Sequence, residues 1–145
     1  MTPDPSENRL VLRKLLPATR EEVFDAWLDP VGMREWMTPG TGTSATAEID
    51  PRVGGKFRIV VHHPERDYDH RGEYRVIDRP SKLVFTWISE GTEQRESLVT
   101  IELHERGRET ELVLMHEKLP NAVSVERHTG GWAGILEKIG ARFRK

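Results

Sequence analysis

NAVSVERHTGGWAGILEKIGARFRK, residues 121–145, is the stretch that decides how this chain folds. Val125, His128, Trp132, Leu136, Ile139 and Phe143 recur at steps of three and four, the apolar stripe of one long helix. Gly130, Gly131, Gly134 and Gly140 lie inside that helix, each disfavoured by about 1 kcal/mol relative to Ala in a helix interior. Two arrangements reconcile the glycines with a helix. Either the backbone lies close against a sheet, or space is left beneath the helix for something else. Both require a sheet, and the residues upstream read as one.

Working backward from residue 121, apolar residues alternate in run after run. Thr110, Leu112 and Leu114 follow the turn Arg106-Gly107-Arg108, and Val99, Ile101 and Leu103 precede it. Leu83, Phe85 and Trp87 follow the turn Arg79-Pro80-Ser81. His70 to Asp78 reads as a strand with Tyr74 and Val76 on one face. Pro64 to Asp69 reads as a polar hairpin tip joining it to Phe57, Ile59 and Val61. Thr43 to Ile49 is a short strand, after a loop at Pro39-Gly40-Thr41-Gly42 and before a turn at residues 50–55. Helices are confined to the front of the chain. Thr19 and Glu22 form a capping box ahead of Val23, Phe24, Trp27 and Leu28. Asp29-Pro30 ends that helix and opens a second, carrying Met33, Trp36 and Met37. Arg9 to Leu16 is a first strand, and residues 1–8 are a loose, Pro-broken tail ahead of a single domain at 9–145.

Strand, two short helices, about six antiparallel strands and a long helix make an α+β layer. A helix of about 22 residues would be ~33 Å long, roughly the width of six or seven strands at about 4.8 Å spacing. One helix can lie across the whole sheet.

Composition narrows the function. The chain has 145 residues, 32% charged and 36% hydrophobic, with a net charge of −2 spread over both signs. That length supports one domain with its own core. There is no basic stripe for nucleic acid and no apolar run of membrane length. The start of the chain does not read as a signal peptide. With no cysteine there is no disulfide and no thiolate chemistry, and a cytoplasmic location is the expectation. The sequence contains no Gly-x-Ser-x-Gly elbow and no Walker-type loop, since Gly40-Thr41-Gly42 lacks its lysine. Glu93, Glu96, Glu102 and Glu105 sit on solvated positions, so no carboxylate pair is placed for acid–base work.

The candidate site residues come from separate elements. Trp36, Trp87 and Trp132 either pack a core or line a cavity together with Phe57, Ile59 and Tyr74, whose hydroxyl can orient a polar group. His116 ends the last strand and His128 lies on the inward stripe of the helix. Each is either a hydrogen-bonded core residue or a ligand contact. His62, His63 and His70 flank the hairpin tip beside Asp67 and Asp69. Adjacent strand residues point to opposite faces, however, so His62 and His63 cannot share one ion, and no metal site or cofactor is assigned.

An ordered series of motifs runs through the chain. It comprises the run Val23 to Pro30 with Trp36 after it, Asp50 to Phe57 with Gly54-Gly55, Gly72 before a strand, and Pro80 leading into Leu83 to Trp87. Val99 to Leu103, Thr110 to His116 and His128 to Trp132 complete it. The series resembles the SRPBCC (START/Bet v-like) superfamily and, within it, the activator of Hsp90 ATPase homologue-like family. Met37 and Arg79 depart from the family pattern, at expected pocket and turn edges. The resemblance implies a helix-grip fold, a curved antiparallel sheet of about 6–7 strands around the long C-terminal helix, with a cavity between them. It implies a non-enzymatic domain binding a small lipid-like or aromatic molecule at Trp36, Phe57, Ile59, Tyr74, Trp87, His116, His128 and Trp132. Its alternatives are a module stimulating a chaperone (Hsp90) ATPase and a cavity-based cyclase or hydrolase using His116, His128 or Tyr74. Monomer and homodimer both stay open.

Overall fold

A computed structural model describes residues 8–37 and 44–144. The expected tail through residue 7, the loop at residues 39–42 and Thr43 lie outside the described residues. Strand β1 (Leu10–Leu16) turns its even positions inward: Leu10 and Leu16 are buried while Val11 and Leu15 are exposed. Helix α1 (Arg20–Ala26) starts where the sequence signals it. The Thr19 side chain accepts from the Glu22 amide and the Glu22 carboxylate accepts from the Thr19 amide. Helix α2 (Pro30–Trp36) follows at once, with Asp29 as its cap and Pro30 in its first turn. Val23, Phe24, Met33 and Trp36 are buried on the inner faces of this pair.

The remaining strands are β2 (Ser44–Ile49), β3 (Lys56–His62), β4 (Asp67–Asp78), β5 (Lys82–Trp87), β6 (Ser97–Arg106) and β7 (Glu109–Glu117). They join β1 in one antiparallel sheet of seven strands, ordered β1-β7-β6-β5-β4-β3-β2. Helix α3 (Ala122–Phe143) has 22 residues and lies within the curl of the sheet, completing the helix-grip α+β fold. Among the described residues no helix is long and apolar enough to cross a membrane.

Two details of β4 differ from expectation. The strand begins at Asp67, because Asp67 and Asp69 face outward as partners of His62 and Arg58, at 2.7 and 2.9 Å. Only Pro64 to Arg66 form the polar tip, and Asp67 to Asp69, read as part of it, are the start of the strand. Further on, the pairing with β5 shifts by one residue between Tyr74 and Val76. The extra residue reverses the alternation, so Tyr74 is buried while Val76 is exposed and Ile77 packs on the core.

Gly72 explains the tight passage of β4 between its neighbours. A Cβ there would lie 1.9 Å from the Thr86 carbonyl oxygen and 2.5 Å from the Phe57 ring, which occupies the vacant side-chain position. Only glycine allows that approach.

Candidate functional site

The two ends of α3 are held differently. Toward its C-terminus Leu136, Ile139 and Gly140 are buried. A Cβ on Gly140 would lie 3.2 Å from Lys14 Cε and 3.5 Å from Leu16 Cδ2, so the helix here rests on β1. Lys14 pairs with Glu137, and Arg142 with Asp29 at 3.2 Å. At the N-terminus Asn121 caps the helix through Ser124 N at 2.9 Å and donates to Glu93 at 3.0 Å. Ser124 Oγ donates to the Gly91 carbonyl at 2.6 Å, tying the helix to the short 3-10 turn Glu90–Thr92.

Between these anchors the helix spans a hollow. A cavity of about 300 Å³ separates the first turns of α3 from β3, β4 and β5. The register places its sheet wall: Ile59 pairs with His70, and Val61 with Tyr68, so these four side chains share the inner face. Beside Ile59 and Val61 in the sheet, their β2 partners Ala47 and Ala45 contribute little volume. Trp87 supplies the third strand, its ring 5.1 Å from that of Trp132 and 5.1 Å from that of His70. From α3 come His128, Gly131, Trp132 and Ile135. Nothing lies within 4 Å of where a Gly131 Cβ would stand.

Of the eight residues expected to meet, Ile59, Trp87, His128 and Trp132 line this cavity. Trp36 does not: it packs edge-on against Trp27, ring centroids 4.8 Å apart. Phe57 and Tyr74 lie 5.3 Å apart at the deeper, filled end, beside a void of only about 10 Å³. Burial pushes the Tyr74 hydroxyl far above its ordinary pKa, keeping it a neutral phenol.

His116 is a core residue, with no exposed surface. Trp132 Nε1–H donates to its Nδ1 at 3.0 Å. That bond makes Nδ1 an acceptor, so the single ring proton is on Nε2 and is donated to Ser97 Oγ at 2.7 Å. Ser97 in turn donates to the Trp87 carbonyl at 2.6 Å. The chain of bonds uses every polar atom of the ring and tolerates only the neutral form. Burial, and then the neighbouring His128, push the His116 pKa well below its ordinary value.

His128 is different. Its Nδ1 lies 2.8 Å from the Ser124 carbonyl, an oxygen that can only accept, so Nδ1 carries the proton and Nε2 presents a lone pair. Burial depresses its pKa, partly opposed by the bond to Ser124. His70, on the facing strand, repeats the pattern with Nδ1 at 3.3 Å from the Ile59 carbonyl and its pKa lowered by burial. His70 belongs to the cavity, not to a hairpin-tip cluster. Among the described residues no three His, Asp or Glu side chains converge to hold a metal ion.

At the rim, Arg66 reaches from the β3–β4 hairpin to Glu90 at 2.6 Å, with its guanidinium 4.6 Å above the Tyr68 ring. Arg127 also lines the cavity and makes no ion pair with a described residue. Tyr68 and His70 are among the wall residues that the sequence reading missed, with Val61, Gly91, Arg127 and Ile135. For Tyr68 and His70 the signal was present: Tyr68, His70, Gly72 and Tyr74 share one strand parity.

The comparisons with known proteins agree with this geometry at the level of the fold. A comparison with curated proteins found no match. Among solved structures, a protein of Chromobacterium violaceum aligns with TM-score 0.84 at 22% identity, covering 96% of this chain and 99% of that one. The AHSA1 protein of Silicibacter pomeroyi aligns with TM-score 0.76 at 26% identity, covering 92% and 96%. An HSP90 activator of Plasmodium falciparum aligns with TM-score 0.74 at 24% identity, covering 92% and 94%. Residues 17–144 match the model of the family described as Activator of Hsp90 ATPase homolog 1-like protein, and the chain belongs to that family.

Proposed function

We propose that this chain is a non-enzymatic binding domain whose cavity takes one small, largely aromatic molecule. The observation that carries the reading is the hollow of about 300 Å³ between α3 and the sheet, walled by Trp87, Trp132 and His70. That volume sits at the lower end of ligand-binding pockets. At about 30 Å³ per water it equals roughly ten waters, or a guest of roughly ten to fifteen non-hydrogen atoms. A two-chain lipid is far too large, so the size favours a compact aromatic guest over a lipid. Trp87 and Trp132 offer ring faces, the surface such a guest packs against.

Native mass spectrometry of freshly purified protein, followed by calorimetric titration of one- and two-ring aromatics, tests the reading. We expect saturable one-to-one binding with a negative heat-capacity change. Absence of any bound or titratable guest would contradict it.

Family membership carries a second reading, an interaction module that stimulates a chaperone ATPase. The Hsp90 ATPase rate measured with and without this protein separates the two, because stimulation at saturating protein is expected only from the second. Of its three candidate residues a hydrolase or cyclase reading keeps only His128, since His116 and Tyr74 are enclosed in core.

A further inference from the structure

We propose that the guest carries a hydrogen-bond donor, a phenolic hydroxyl or a ring N–H, and that Nε2 of His128 receives it with Nε2 of His70 on the facing wall. The proposal rests on the cavity reading above and adds the chemistry of the guest.

The ring protons decide which nitrogens can meet a guest. His128 gives its only proton to the Ser124 carbonyl at 2.8 Å, and Ser124 Oγ, 3.3 Å from the same nitrogen, is itself committed as donor to Gly91. Nε2 of His128 is therefore a bare acceptor. It lies at the edge facing Gly91, where a Cβ would stand 3.3 Å from Nε2 and 3.0 Å from Cε1. Gly91 also lines the cavity, and its lack of a side chain leaves the nitrogen uncovered. His70 turns its own proton to Ile59 O and stacks its face along Trp87 at an interplanar angle of 32°. The cavity thus presents two imidazole lone pairs in a wall that, apart from Ser89, Glu90 and Arg127, is otherwise aromatic, aliphatic or glycine. Burial keeps both rings neutral, and His128 further disfavours charge on His70. A guest with only acceptors would cover those lone pairs without meeting them, an unfavourable arrangement. A carboxylate placed there would face them directly.

A matched series separates this proposal from the cavity reading. Naphthalene, 2-methoxynaphthalene, 2-naphthol and 2-naphthoate share one apolar body and differ in the group offered to the imidazoles. We expect 2-naphthol to bind about tenfold tighter than naphthalene or its methyl ether, the increment of one net hydrogen bond. His128→Phe should abolish the difference while naphthalene still binds. Gly91→Ala, which covers Nε2, should reduce the difference and serves as the independent variant if His128→Phe does not fold. Equal affinity for naphthalene and 2-naphthol overturns the donor proposal and leaves the cavity reading standing. Tightest binding of 2-naphthoate also overturns it, in favour of anion capture by Arg127. Binding of none of the four overturns both.

Discussion

The two halves of α3 present the same kind of side chain to the same sheet and reach opposite results. In the C-terminal half Leu136 and Ile139 are buried and Gly140 lies close against Lys14 and Leu16 of β1. In the N-terminal half Trp132 and His128 stand off from β3 and β4 across about 300 Å³. The difference is made by what lies opposite. Beneath the closed half, α1 and α2 fill the curl with Phe24, Trp27, Met33 and Trp36, all buried. Over the open half α2 reaches the cavity only through Met37, its C-terminal cap, and the neighbouring β2 carries the small residues Ala45 and Ala47. Packing and hollowness come from the contour of neighbouring elements, not from the hydrophobicity of α3 itself.

Substitutions can break that contrast or sharpen it. Trp27→Ala, in the filled half, is expected to destabilise by about 3–5 kcal/mol. Ile135→Ala, on the cavity wall, should fall toward the lower limit near 2 kcal/mol, because one side of Ile135 already lacks contacts. Urea denaturation compares them, and equal losses would erase the distinction between the halves.

Acidification addresses the buried histidines, two at the cavity and one in the core behind it. His70, His116 and His128 are held below the unfolded imidazole value of about 6.5 by burial. The unfolded chain therefore takes up protons first as the pH falls. Stability is complete above about pH 6.5 and declines below it, at a limiting slope of about 1.4 kcal/mol per pH unit for each such group. Asp25 and Glu137 are held low by Arg79 and Lys14, so their contribution is lost only from about pH 4 downward. Urea midpoints at about pH 7 and about pH 5.5 isolate the histidines, and unchanged midpoints would contradict their buried neutrality.

Ser97→Ala removes the acceptor of His116 Nε2–H inside the core. A loss of about 1–3 kcal/mol is expected in chemical denaturation, and a neutral result would mean that the bonded chain from Trp132 to Trp87 contributes nothing. The smallest effects come from the helix glycines. Neither Gly130 nor Gly131 has an atom within 4 Å of its absent Cβ, so each mutation to Ala should stabilise by about 0.5–1 kcal/mol. Only Gly131→Ala should also weaken guest binding, since only Gly131 borders the cavity.

How much of this was legible in the sequence depends on how local each cause is. The Thr19–Glu22 box and the Asp29-Pro30 start are contained within a few residues, and both occur where they read. The strand parities and the 22-residue helix follow from periodicity alone. The residue inserted at Arg75 has no composition of its own, so the reversal that exposes Val76 could not be read. Of the glycines, Gly140 marks close approach and Gly131 marks open space. The structure does not explain Gly130 and Gly134. The site was half legible for a related reason. Trp36, Phe57 and Tyr74 share their chemistry with the wall residues, and only the volume left between elements separates them. Tyr68 was hidden by reading Pro64 to Asp69 as a turn, whereas His70 was read on the strand but weighed only as a metal ligand, although its parity with Tyr74 pointed inward.

A leucine placed at residue 131 probes the hollow most directly. From a Cβ with nothing within 4 Å it would grow into the space that a guest needs. Calorimetric titration of wild type and Gly131→Leu with the same two-ring aromatic, alongside their thermal midpoints, is the measurement. The account predicts saturable binding by wild type, and a variant that folds at least as stably but binds nothing. Unaltered binding by Gly131→Leu, or a wild type that takes up no guest, would contradict it.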